Sequence, residues 1–139
     1  SGNEFITSQL ISSYAWDTAL NFICQTNEEG YLLATTIDSA YGNIGTDSST
    51  KTGEYEADNY SNIHDLLGNC YEWTTEYANS GIIDGVIGGI TGSHDTSCVY
   101  RGGYNDINYY AAFRNFIFTS NSYTLGSFRL QLYINPESW

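Results

Sequence analysis

The sequence predicts an α+β domain that is loop-rich, with few helices and short antiparallel strands. Three observations predict it. Only one stretch, Ser12 to Gln25, keeps apolar residues at sustained helical spacing. Several short runs of β-branched and aromatic residues are bounded by glycine. Between them lie long stretches of Gly, Ser, Thr, Asp and Asn with no period. At 139 residues the chain is long enough for one good core, so 1–139 is read as a single domain.

The elements follow in order. In "SSYAWDTALNFICQ", Ser12 or Ser13 can cap a helix, and Asp17 sits early, where the helix dipole favours an anion. Residues 38–60 read as a long loop. "SGIIDGVIGGITGSHDTS", from Ser80 to Ser97, fits a glycine-broken hairpin or a mobile loop. "CVYRGG", from Cys98 to Gly103, reads as a short strand stopped by two glycines. "GSFRLQLYI", from Gly126 to Ile134, alternates well enough for one terminal strand.

Charge excludes whole classes of partner. Lysine plus arginine number four against sixteen acids, a formal net charge of -12. Nucleic acid and anionic membrane surfaces need basic side chains that this chain lacks. No apolar run is long enough to span a bilayer, so no membrane insertion is expected. Cys24, Cys70 and Cys98 are odd in number and irregular in spacing, which fits neither a disulfide framework nor a zinc pattern. They read as buried free thiols, with one bridge plus one free thiol as the alternative. His64 reads as a turn or surface residue, and His94 falls in a polar stretch. No Ser-His-Asp arrangement and no phosphate loop is evident.

Four ordered motifs carry a resemblance: "NIHDLLGNCYEWT", "VYRGGY", "AAFRN" and "GSFRLQL". Together with "SSYAWDTALNFI" they resemble the formylglycine-generating-enzyme-like (sulfatase-modifying factor) branch of the C-type lectin fold. The resemblance spans nearly the whole chain and implies that fold. It says less about function, because one fold hosts enzymes and binders alike. The enzymes of this branch use two cysteines shortly after R-G-G to bind copper, and "RGGYNDINYYAAFRN" has none. Related iron enzymes take histidines from an additional domain, for which this chain has no room. The catalytic apparatus is therefore read as absent.

The stretches "YNDINYY" (104–110) and "NFIFTSNSYT" (115–124) use only Tyr, Asn, Asp, Ile, Phe, Thr and Ser. Every one of these is reachable from an AAY asparagine codon by changing adenines alone. That pattern resembles the variable protein of a diversity-generating retroelement, with a variable region over about 101–134. Tyrosine supplies stiff amphipathic contact area, and Ser and Asn supply adaptable hydrogen bonds. The expected ligand-binding residues are Tyr104, Asn105, Asp106, Asn108, Tyr109, Tyr110, Phe116, Phe118, Asn121 and Tyr123, presented on one exposed face. Ala111, Ala112 and Phe113 are expected to pack inward, with one or two of Ile107, Phe116 and Ile117 as further candidates. An ordinary aromatic-rich loop is the bland alternative.

The resemblance also implies a structural Ca2+ site. Carried over, its ligands are the side chains of Asp65 and Glu72 and the carbonyls of Gly68 and Cys70, a hard oxygen set suited to calcium. Otherwise Asp65 and Glu72 bond to turn amides or to Arg101. Trp73 is expected beneath the turn as core. Arg101, Arg114 and Arg129 are expected to be structural, with planar donor forks that staple loops. Gly102, Gly103 and Phe128 complete the expected frame.

The resulting expectation is a non-catalytic ligand-binding module on a phage tail or bacterial surface, recognising a protein or cell-surface ligand. It is expected to form the C-terminal part of a longer protein. An enzyme of the same branch with altered chemistry is the alternative, and a plain structural module is the third.

Overall fold

The computed structural model describes residues 6–77, 97–106, 109–118 and 124–134. The elements are β1 (Ile6–Leu10), α1 (Ser13–Thr26), α2 (Gly30–Thr35), a 3-10 turn (Glu56–Asp58), β2 (Asn59–Tyr60), β3 (Ile63–His64), β4 (Tyr71–Tyr77), β5 (Ser97–Arg101), β6 (Arg114–Phe118), β7 (Gly126–Phe128) and β8 (Leu130–Ile134). The architecture is α+β and loop-rich, as the sequence predicts. The glycine-rich stretch that follows Tyr77 lies outside the described residues up to Ser97.

Helix α1 forms where its pattern places it. The Ser12 hydroxyl accepts from the Ala15 amide at 3.1 Å, satisfying an amide that the first turn leaves unpaired. Trp16, Leu20 and Ile23 share one face and are buried, while Tyr14 and Phe22 point to solvent. The helix ends where the Asn27 amide bonds back to the Ile23 carbonyl at 2.9 Å. Leu33 and Ala34 of α2, Ile44, Tyr60, Leu66, Leu67 and Ala111 complete the core around Trp16. Burial of each large aliphatic here stabilises by about 1.5–3 kcal/mol.

The central sheet has the order β6-β5-β4-β7. Strand β5 runs antiparallel to β4 and β6, and β7 runs parallel to β4. The sheet is therefore mixed rather than purely antiparallel. The pleat sends Thr74, Val99, Arg101 and Arg114 to one face and Tyr71, Trp73 and Tyr100 to the other. The first face packs on α1, where the Ser13 and Thr74 hydroxyls meet at 3.2 Å.

The expected single strand over Gly126–Ile134 is two strands. β7 joins the central sheet, and β8 pairs antiparallel with β1 in a separate ribbon. The break falls at Arg129. Its side chain turns inward, and its carbonyl accepts from the Ile11 amide at 2.9 Å. One residue thus hands the chain from sheet to ribbon.

Two members of the expected frame are placed differently. Phe128 is 68% exposed, at the edge position of β7 in the central sheet. Trp73 is half-buried rather than core. The core tryptophan is Trp16, fully buried, with its indole N–H donating to the Ala111 carbonyl at 3.1 Å. Ala111 is buried as expected, whereas Ala112 and Phe113 are half-buried. The three cysteines are free and half-buried.

Candidate binding face and cation cavity

The turn from Asp65 to Glu72 is built from left-handed residues: Asp65 (φ 58), Gly68 (φ 78) and Asn69 (φ 60). Aspartate and asparagine tolerate that region better than most residues, and glycine enters it freely. Gly68 has a further constraint. A Cβ there would lie 2.3 Å from the Asn43 carbonyl oxygen, so only glycine lets the two chain segments touch.

The turn buries two acids. Glu72 is 6% exposed, and Arg129 holds both its oxygens, Nε to Oε2 at 2.8 Å and Nη2 to Oε1 at 2.9 Å. Burial raises the Glu72 carboxyl above its ordinary pKa. The Arg129 hydrogen bond and charge offset part of that rise, and nearby Asp65 adds to it. Asp65 is 5% exposed, and neither of its carboxylate oxygens has a partner. Buried carboxylates without partners are rare, because desolvation penalises the charge heavily.

Asp65 opens into a cavity of about 140 Å³, lined by Thr50, Thr52, Asp65, Asn69, Cys70, Glu72, Ser127 and Phe128. The Thr50 hydroxyl oxygen is likewise buried without a partner. Of the expected cation ligands, Asp65, Cys70 and Glu72 border this cavity and Gly68 does not. Gly68 instead makes the close approach to Asn43. Among the described residues no three His, Cys, Asp or Glu side chains converge, so a cation here would depend on hydroxyl and carbonyl oxygens.

The second site lies beside it. A groove of about 510 Å³ is lined by Thr46, Asp47, Ser48, Ser49, Tyr104, Asn105, Asp106 and Leu125. Asp106 is exposed and Tyr104 is half-buried. Asn105 departs from the expectation of an outward contact, being only 7% exposed. Its side-chain amide donates to the Thr46 carbonyl at 2.7 Å, and its carbonyl accepts from the Gly45 and Thr46 amides. Its polar groups are thus used inside the fold.

The tyrosines stand in two layers. Tyr71, 2% exposed, is the centre of the lower layer, with Tyr100 at 4.3 Å between ring centroids. Half-buried Tyr104 and Tyr109 lie against Tyr71 at 5.1 and 6.4 Å. Tyr109 stacks on Phe113 at 3.6 Å, and Tyr110 meets Phe113 edge-on at 6.1 Å. Such pairs are worth about 0.5–1.5 kcal/mol beyond area burial. Phe116 does not join this face. Its register opposite Val99 puts it on the α1 side of the sheet. The side chain of Phe118 and all of Asn108, Asn121 and Tyr123 lie outside the described residues.

All three arginines are internal staples. Arg101, fully buried, donates to Asp17 and to the Phe113 and Ala112 carbonyls at 3.1 and 3.3 Å. Its guanidinium and that of Arg129 lie 5.7 and 5.6 Å from the Trp16 ring centroid. Gly102 follows with φ 70, held close to the Leu66 carbonyl and the Trp16 ring. Arg114 pairs with Glu76. Burial pushes the Glu76 carboxyl up, but the bonds from Arg114 and Ser13, with the arginine charges, bring it below its ordinary value.

Sequence reasoning missed Tyr71 as the centre of the aromatic platform, Thr50 at the cavity, and the 46–49 wall of the groove. Tyr71 stands within the quoted motif "NIHDLLGNCYEWT", next to Glu72 and Trp73. Nothing in "TDSST" (46–50) marks it as a wall. No protein-family model, no curated protein and no solved structure matches the chain.

Proposed function

We propose that this chain is a non-catalytic target-binding module, the diversified domain of a retroelement variable protein, carried on a phage particle or a bacterial surface. Its target is a protein or cell-surface ligand. The observation that carries this reading is the groove where Tyr104 and Asp106 face the 46–49 loop. Arg101 and Arg129 pack on the Trp16 ring, and none of the three lines the groove. A binding face can vary only if the frame does not depend on it. Partly exposed tyrosines on an aromatic base give large contact area at low entropic cost. Sequencing codons 104–124 in sibling isolates tests the reading. Differences confined to adenine positions of AAY codons are expected, and an invariant stretch would contradict it.

We also propose that the cavity beside Asp65 holds a calcium ion. The two unpartnered oxygens of a buried carboxylate support this, because a hard cation compensates that charge. By the resemblance, the Cys70 carbonyl joins it, while Glu72 borders the cavity with both oxygens held by Arg129. Bound there, calcium would supply structural cross-linking and no reaction step.

A further inference from the structure

Besides the two Asp65 oxygens, one further oxygen at the cavity is left without a partner. Both carboxylate oxygens of Glu72 are engaged by Arg129, so Glu72 is not a free ligand. The other orphaned oxygen at the cavity is the Thr50 hydroxyl, which belongs to a different loop. Thr50 is clamped against the turn from both sides. Its amide donates to Asn69 Oδ1 at 2.7 Å, and its carbonyl accepts from Asn69 Nδ2 at 3.2 Å. The Thr50 backbone is therefore held at the cavity wall, and its hydroxyl is buried there without a partner.

The loop that carries Thr50 also walls the target groove. Thr46 to Ser49 line the groove, and Thr50 lines the cavity. Three buried asparagines tie this loop down. Asn43 Nδ2 bonds Asn69 Oδ1 at 3.1 Å and the Ser48 carbonyl at 3.4 Å. The Thr46 hydroxyl lies 2.6 Å from Asn43 Oδ1, and Asn105 holds the Thr46 carbonyl. The Asn105 amide in turn donates to the Asn69 carbonyl at 3.3 Å. Turn, loop and groove thus form one hydrogen-bonded unit.

We propose that Thr50 is a ligand of a divalent cation at Asp65, and that this cation thereby fixes the 46–50 loop and pre-forms the target groove. The inference rests on the target-binding and cation readings above. Loop ordering before target arrival lowers the entropic cost of binding.

The test uses calcium alone, with no target, so it fails or succeeds independently of the target-binding reading. Calcium binding is measured by calorimetry, and amide hydrogen exchange is followed over 45–50. The expected result is that Thr50→Val weakens calcium binding by about tenfold or more, roughly one lost oxygen ligand, and that Thr50→Ser retains it. Asp65→Asn should abolish it. Calcium should slow exchange at 45–50 in the native chain and not in Thr50→Val. Cooperative melting of each variant shows that it is folded, and Thr50→Ala, which also deletes the hydroxyl, carries the test if Thr50→Val is not. Unchanged affinity in Thr50→Val would overturn the proposal. So would calcium binding that leaves 45–50 exchange unaltered, or no calcium binding at millimolar concentration.

Discussion

Arg129 grips Glu72 with two parallel hydrogen bonds, and the same guanidinium donates to the His64 carbonyl at 2.6 Å. One side chain thereby fastens the end of β7 to β4 and to the β2–β3 hairpin. Arg129→Ala should cost about 3–5 kcal/mol, since it leaves a buried carboxylate unpaired. Arg129→Lys should recover little, because a point charge cannot replace a two-pronged donor. Urea titration measures both.

The same pair gives a pH dependence with a definite sign. The folded Glu72 pKa is raised, so its linked stability is full below the unfolded value and is lost as pH rises through the folded one. Removing Arg129 raises the folded value further. The deficit of Arg129→Ala should therefore shrink on acidification. Stability curves of both proteins between neutral and mildly acidic pH check it.

Glu76 runs the other way. Its folded pKa is lowered, so its contribution is present above the unfolded value and fades as pH falls through the folded one. Glu76→Gln should be less stable than the native chain at neutral pH. The gap should close in acid below the ordinary carboxylate range.

Placement separates two aromatics that sequence reasoning grouped with the frame or left unranked. Trp16→Ala should cost about 3–5 kcal/mol, as a fully buried aromatic with a buried hydrogen bond. Phe128→Ser should cost about 0.5 kcal/mol or less at its exposed edge position. Thermal melts distinguish them.

Adjacent groove residues should differ as well. Asn105→Ala should cost about 1–3 kcal/mol by leaving the Thr46 carbonyl unsatisfied. Asp106→Ala should cost about 0.5 kcal/mol or less. Both are read by chemical denaturation.

What was legible in the sequence was what short-range pattern controls. Leu20 and Ile23 announce α1 by spacing, and Ser12 marks its start. The staple role of the arginines was legible from residue type. Their partners were not, because Glu72, Glu76 and Asp17 lie 57, 38 and 84 residues away from them in the chain. The split at Arg129 was hidden for the same reason: alternation continues through it, and only tertiary bonds divert the strand. Asn105 misled because asparagine suits an adaptable contact and a buried clamp equally well. Phe116 misled because strand register, invisible in sequence, decides which face it takes. The Tyr104, Tyr109 and Tyr110 cluster was legible from composition, though its dependence on Tyr71 was not.

The central claim is that the binding face varies independently of the frame. The most direct measurement is a library over Tyr104, Asp106, Tyr109 and Tyr110, restricted to residues that AAY codons reach. Each member is melted and then screened against a panel of cell surfaces and proteins. The half-buried tyrosines cost about 0.5–3 kcal/mol when changed, and exposed Asp106 about 0.5 kcal/mol or less. The account predicts that most members melt cooperatively and that their targets differ. Most members unfolding, or all folding and binding one common partner, would contradict it.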